Sequence, residues 1–261
     1  MLLHVVLADD NIQRVRIERL VTEVESRLPA LFSERQIVAE FMRLVSADLL
    51  KSFLSGLDQH MAKLLVLYVA RKRRETRLGH DDNLHSLMES LDFENSNQSK
   101  RSRALLGLPW FLKEDPSNFF KLSKTTNSAG DPAVWKGVDV GLLISTEQTG
   151  EMAALSTNIV DVAVILEEHI VLCELHDVPN ASTVLIGLLC CLNISYPKRL
   201  KYTFEVIQKV LMNIGGSTCS ARVQWTAQQI APAVICFNIR VACHFCLLKN
   251  VDYFKRYLKL C

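Results

Sequence analysis

The sequence predicts an α+β fold, with a mainly helical N-terminal half and a small antiparallel hairpin or sheet packed by two or three C-terminal helices. Three observations carry this. Apolar residues recur at helical spacing through the first 117 residues. The text then turns β-branched and compact in "VDVGLLIST" and "VAVILEEHIVLCEL". After that come an almost wholly apolar run, "DVPNASTVLIGLLCCLNI", and a segment with a narrow apolar seam, "SYPKRLKYTFEVIQKVLMNIGG". Residues 1–117 read as a helical region, 118–136 as a linker, 137–230 as a small α+β region, and 231–261 as an atypical Cys-rich tail.

Taken in order, Ile12, Val15, Leu20, Val24 and Leu28 fall near helical spacing, and Pro29 ends the run. "SERQ" offers a capping box, with Ser33 as cap and Gln36 reaching back. Ile37, Phe41 and Leu44 line the helix that follows. Leu50, Phe53, Leu54 and Leu57 continue the pattern, then Met61, Leu64, Leu65 and Tyr68, and Gly56 reads as a break between two helices. Short helices are expected over Leu84–Leu91 and over Ser99–Leu108, the latter stopped by Pro109. Residues 118–136 are rich in Thr, Asn, Ser, Gly and Pro, hence the linker. "VAVILEEHIVLCEL" reads as two strands folded near Glu167, Glu168 and His169, with Glu168 where a turn glycine is the usual choice. Asp177 or Asn180 caps the apolar helix. In the seam helix Pro197 suits the first position. Leu200, Phe204, Ile207, Leu211 and Ile214 form the seam, and Gly215 supplies the left-handed stop.

The chain has 261 residues, 49% of them hydrophobic and 22% charged, a globular composition with enough apolar surface for a sizeable core. Net charge is +2, unevenly spread: residues 126–195 hold 1 Lys/Arg against 9 Asp/Glu, and residues 196–261 hold 10 against 2. Segments of opposite sign either neutralise each other in one domain or present faces that steer a partner. "MLLHVVLADD" lacks a basic leader region. The apolar stretch Val184–Ile194 is too short to span a bilayer, and Pro232–Leu248 is interrupted by Arg240. The expectation is an intracellular protein, cytoplasmic or nuclear, without a membrane partner, whose 8 cysteines are reduced thiols.

Several of these segments carry a resemblance. "RLPALFSERQIVAEFMRLVSADLLKSFLSGLDQHMAKLLVLY", "LLGLPWFLKEDPSNFFK" and "VAVILEEHIVLCELHDVPNASTVLIGLLCCLNISYPKRLKYTFEVIQKVLM" resemble the C-terminal region of fish sterile alpha motif domain-containing protein 3-like proteins. The likeness runs from Arg19 to Ile230, and the Tyr196–Pro197–Lys198 passage with its seam helix is the most specific part. The sterile alpha motif itself has no counterpart in this chain, and that family region implies no particular activity.

A search for chemistry returns little. "GGSTCSAR" lacks phosphate-loop spacing, and neither a His-Glu-x-x-His nor a Gly-x-Ser-x-Gly motif occurs. Cys243 and Cys246 bracket His244 without a second pair at zinc-finger spacing. Asp139, Asp161 and a glutamate would suggest two-metal chemistry only if the fold brought them together. No cofactor or metal is expected.

The charge clusters are the better candidates. Arg71, Lys72, Arg73 and Arg74, with Arg77 beyond, crowd a helix end, where they complement the negative end of the dipole or contact phosphates. Lys198, Arg199 and Lys201 crowd a helix start, where positive charge is unfavourable unless an anion sits there. The acidic segment 126–195 is the expected anion. Arg71, Lys72, Arg73, Arg74, Lys198, Arg199 and Lys201 are the candidate anion or partner contacts. The function expected is a non-catalytic protein-interaction or scaffold module. The alternative is a nucleic-acid-binding protein of mobile-element type.

Overall fold

A computed structural model describes residues 21–75, 91, 96–124, 132–148, 157–215 and 219–230. The architecture is α+β. The helices are α1 (Glu34–Val45), α2 (Leu49–Glu75), α3 (Asn97–Phe111), α4 (Val178–Cys191), α5 (Lys201–Val206) and α6 (Ala221–Ile230). Residues 21–27 are also helical and stop before Pro29, as the periodicity predicts. The strands β1 (Phe120–Lys124), β2 (Val140–Gln148), β3 (Thr157–Leu166) and β4 (His169–Leu172) form one sheet in that order.

The sheet is mixed. β2, β3 and β4 pair antiparallel, as expected, but β1 pairs parallel to β2 from inside the segment read as a linker. Its short "FKLSK" is masked in sequence by the polar residues that follow it, and Phe119 and Phe120 are its buried anchors. Alternation divides the sheet into two faces. Leu142, Ile144, Val162, Val164 and Leu166 join the main core, while Leu143, Ala163 and Ile165 meet Trp135 and Val138 on the other side. The main core takes residues from the helical region and the α+β region alike, so the two share one interior.

The β3–β4 turn consists of Glu167 (φ 52°) and Glu168 (φ 63°), both left-handed. A two-residue hairpin turn demands this, and non-glycine residues adopt it at a cost. Capture from outside holds it. The Glu167 and Glu168 amides donate to the carbonyls of Asp139 (2.7 Å) and Val138 (3.0 Å), and the Gly137 amide donates to Glu168 Oε1 (2.9 Å).

α4 is the hub. Asp177 caps it, accepting from the Asn180 amide at 2.6 Å, and every helical residue but Asn180 is buried. It packs on β2 and β3 and also on α1, α2 and α3. Gly187 admits α1 and α2: a Cβ there would lie 2.5 Å from Leu49 Cδ2 and 2.6 Å from Ile37 Cγ2. Cys190 and Cys191 are buried free thiols, and burial pushes Cys191 up to about 12.

Three local expectations change. Ser33 occupies the cap position of α1, but its hydroxyl donates backwards to the Ala30 carbonyl (2.8 Å), closing the short 3₁₀ turn Pro29–Leu31 instead of a capping box. The break expected at Gly56 falls earlier, at Ser46 (φ 57°), and α2 runs unbroken through Gly56. Gly56 is required for contact: a Cβ there would sit 1.6 Å from the Leu211 carbonyl oxygen. Finally, Pro109 lies inside the last turn of α3 without ending it, because a proline there forfeits only one hydrogen bond near a helix end.

Of the helix expected over Leu84–Leu91, only Leu91 is among the described residues; it is helical and buried. Arg77 and residues 231–261, including Cys243, His244 and Cys246, lie outside them.

Candidate functional site

The site is built around the C-terminal end of α3. Chain reversal there uses a Schellman arrangement: Lys113 takes φ 59°, its amide donates to the Trp110 carbonyl (3.1 Å), and the Glu114 amide donates to the Pro109 carbonyl (2.9 Å). The last helical carbonyls carry the negative end of the dipole. Two arginines from other helices satisfy them. Arg71 of α2 donates to the Phe111 carbonyl, and Arg222 of α6 donates to the Leu112 carbonyl at 2.9 Å.

Aromatic rings fill the space between the cations. The Arg71 guanidinium lies 4.9 Å from the Trp110 ring centre, and that of Arg222 lies 4.1 Å from the Tyr202 ring centre. Tyr68 packs on Phe111 at 5.3 Å between centroids and donates its hydroxyl proton to the Ala104 carbonyl (2.7 Å). Trp225 of α6 stacks on Phe111 (6.3 Å, 24°) yet stays 53% exposed. The result is a groove of about 550 Å³ with Leu67, Phe111, Leu112 and Trp225 along its floor and Arg71, Lys113 and Arg222 at its rim. Among the described residues lining it there is no Asp or Glu.

The same reversal delivers Glu114 to the start of α5. One carboxylate oxygen accepts the Tyr202 amide (2.8 Å), and the other accepts the Thr203 amide (2.9 Å) and hydroxyl (2.7 Å). This is the anion that the basic helix start needs. Among the described residues it comes from the turn after α3, outside the acidic segment 126–195. Glu114 is a single charge in a mixed stretch, so segment totals conceal it.

The seam helix differs in detail from expectation. Pro197 precedes a 3₁₀ turn, Lys198–Leu200, and the α-helix begins at Lys201. After Val206 the ladder widens into a π turn over Ile207–Leu211, with the Met212 amide bonding to the Ile207 carbonyl at 2.9 Å. Leu200, Phe204, Ile207, Leu211 and Ile214 are all buried, so the seam is core. Glu205 of α5 fastens α6: it accepts the Ser220 amide (2.8 Å) and the Lys209 ammonium (3.3 Å). Burial pushes its carboxyl up, and these bonds more than reverse that, leaving it below its ordinary value.

The sequence-predicted residues therefore divide. Arg71 lines the groove, and Lys72 is exposed beside it on α2. Arg73 and Arg74 continue the helix, with side chains outside the described set. Lys201 and Arg222 flank the Tyr202 ring, Lys201 at 5.9 Å, which joins the second basic cluster to the groove's edge. Lys198 is exposed, and exposed Arg199 reaches Asn118 Oδ1 at 3.5 Å. Lys113, Glu114, Arg222 and Trp225 escaped the sequence reading. Asp161 is committed elsewhere, accepting the amides of Glu174 (3.1 Å) and His176 (3.3 Å). No group of three metal-ligating side chains forms among the described residues, and none of their helices is long and apolar enough to cross a membrane. Compared with known proteins, the chain matches no family model, no curated protein and no solved structure.

Proposed function

We propose that this chain is a non-catalytic protein-interaction module and that the groove at the end of α3 is where it binds. The observation that carries this reading is an apolar floor left open beside a half-exposed tryptophan. Soluble proteins seldom leave a large aromatic side chain uncovered in a concave apolar site without use for it. Tryptophan and arginine are also the side chains that dominate binding energy at protein interfaces.

A second reading has its own observation. Cations of the groove alternate with rings that lie beside it, Arg71 with Trp110 and Arg222 with Tyr202. Single-stranded nucleic acid is bound by such alternation. The aliphatic floor of Leu67 and Leu112 favours the protein partner, because aliphatic side chains offer a base no stacking surface.

Selection of a random displayed peptide library on the immobilised chain tests the first reading, with the Trp225→Ala chain as counter-selection. Peptides that need Trp225 are expected. An unenriched library, or one indifferent to Trp225, removes the reading. Labelled single-stranded DNA and RNA titrated from low to physiological salt test the second, which requires binding that weakens steeply with salt.

A further inference from the structure

We draw no further inference here: the strongest candidate, the apolar groove between α2, α3 and α6 with Leu67, Leu112 and Trp225 along its floor, belongs to the site already described, and nothing among the described residues shows what covers it.

Discussion

Arg71 at the end of α2 and the Lys198–Lys201 group ahead of α5 are both dense positive charge at a helix terminus, and the fold treats them in opposite ways. Arg71 is drawn inward to a carbonyl of α3 and two aromatic rings. Lys198, Arg199 and Lys201 stay outside, and their helix start is supplied with a carboxylate from elsewhere. In the first case the cation completes another helix's terminus. In the second an anion completes the cation's own. Both anion and acceptor belong to one seven-residue stretch, "LPWFLKE" (108–114), so a single chain reversal explains both clusters.

The largest expected effect tests whether the helices carrying the two clusters are fixed to each other. Helix propensity alone makes Gly56→Ala stabilising by about 1 kcal/mol. Contact geometry reverses the sign, because the new Cβ meets a backbone oxygen of the π turn that cannot move aside. A loss of about 3 kcal/mol or more is expected in chemical denaturation. Gly187→Ala should cost less, since its neighbours there are the ends of the Leu49 and Ile37 side chains. Equal costs, or a gain at Gly56, would mean that α2 and the seam helix are not locked together.

Next comes Glu114. Replacing it with Ala strands the Tyr202 and Thr203 amides and leaves the basic group beside an unopposed positive dipole end. A loss of about 2–3 kcal/mol is expected. Changing Lys198, Arg199 and Lys201 together to Gln should matter little in the natural chain. It should recover part of the loss in the Glu114→Ala background, and that coupling is the signature of the arrangement. Additive effects in the double-mutant cycle would show that the carboxylate serves only the amides.

Much of this fold was legible because it rests on local pattern. The seam from Leu200 to Ile214 and the almost wholly apolar α4 follow from periodicity, and the strand pattern places a turn at Glu167–Glu168 although turn chemistry favours glycine there. What escaped was non-local. Gly56 reads as a breaker until the Leu211 carbonyl is placed against it. β1 reads as linker until β2 lies beside it, because parallel pairing leaves no turn signal in the text. The candidate site was half legible for the same reason. A run such as Arg71–Arg74 announces itself, whereas Lys113, Arg222 and Trp225 are single residues that converge only when α2, α3 and α6 meet.

Glu205 sharpens the comparison from inside α5. Like Glu114 it is a carboxylate holding a terminus, here the entry to α6, which carries Arg222 and Trp225. Its folded-state value is depressed, so its contribution is complete above the ordinary carboxylate value and is lost as pH falls through the folded value. The natural chain should lose stability in that acid range, and Glu205→Gln should flatten the loss while lowering stability at neutral pH. Denaturation midpoints across the range measure this. An unchanged acid limb would place the titrating group elsewhere.

The smallest effect isolates the turn that links the two clusters. Lys113 occupies the left-handed position that most helix ends give to glycine. Lys113→Gly removes the steric penalty and, in exchange, enlarges the freedom of the unfolded chain, so a net gain of about 0.5 kcal/mol is expected. Stability should rise while the rim of the groove loses a charge. That combination separates the stability of the turn from the charge of the groove at one residue. A measured loss of stability on Lys113→Gly would instead give the side chain a structural role in the reversal, and the exposed ammonium would no longer count toward the groove.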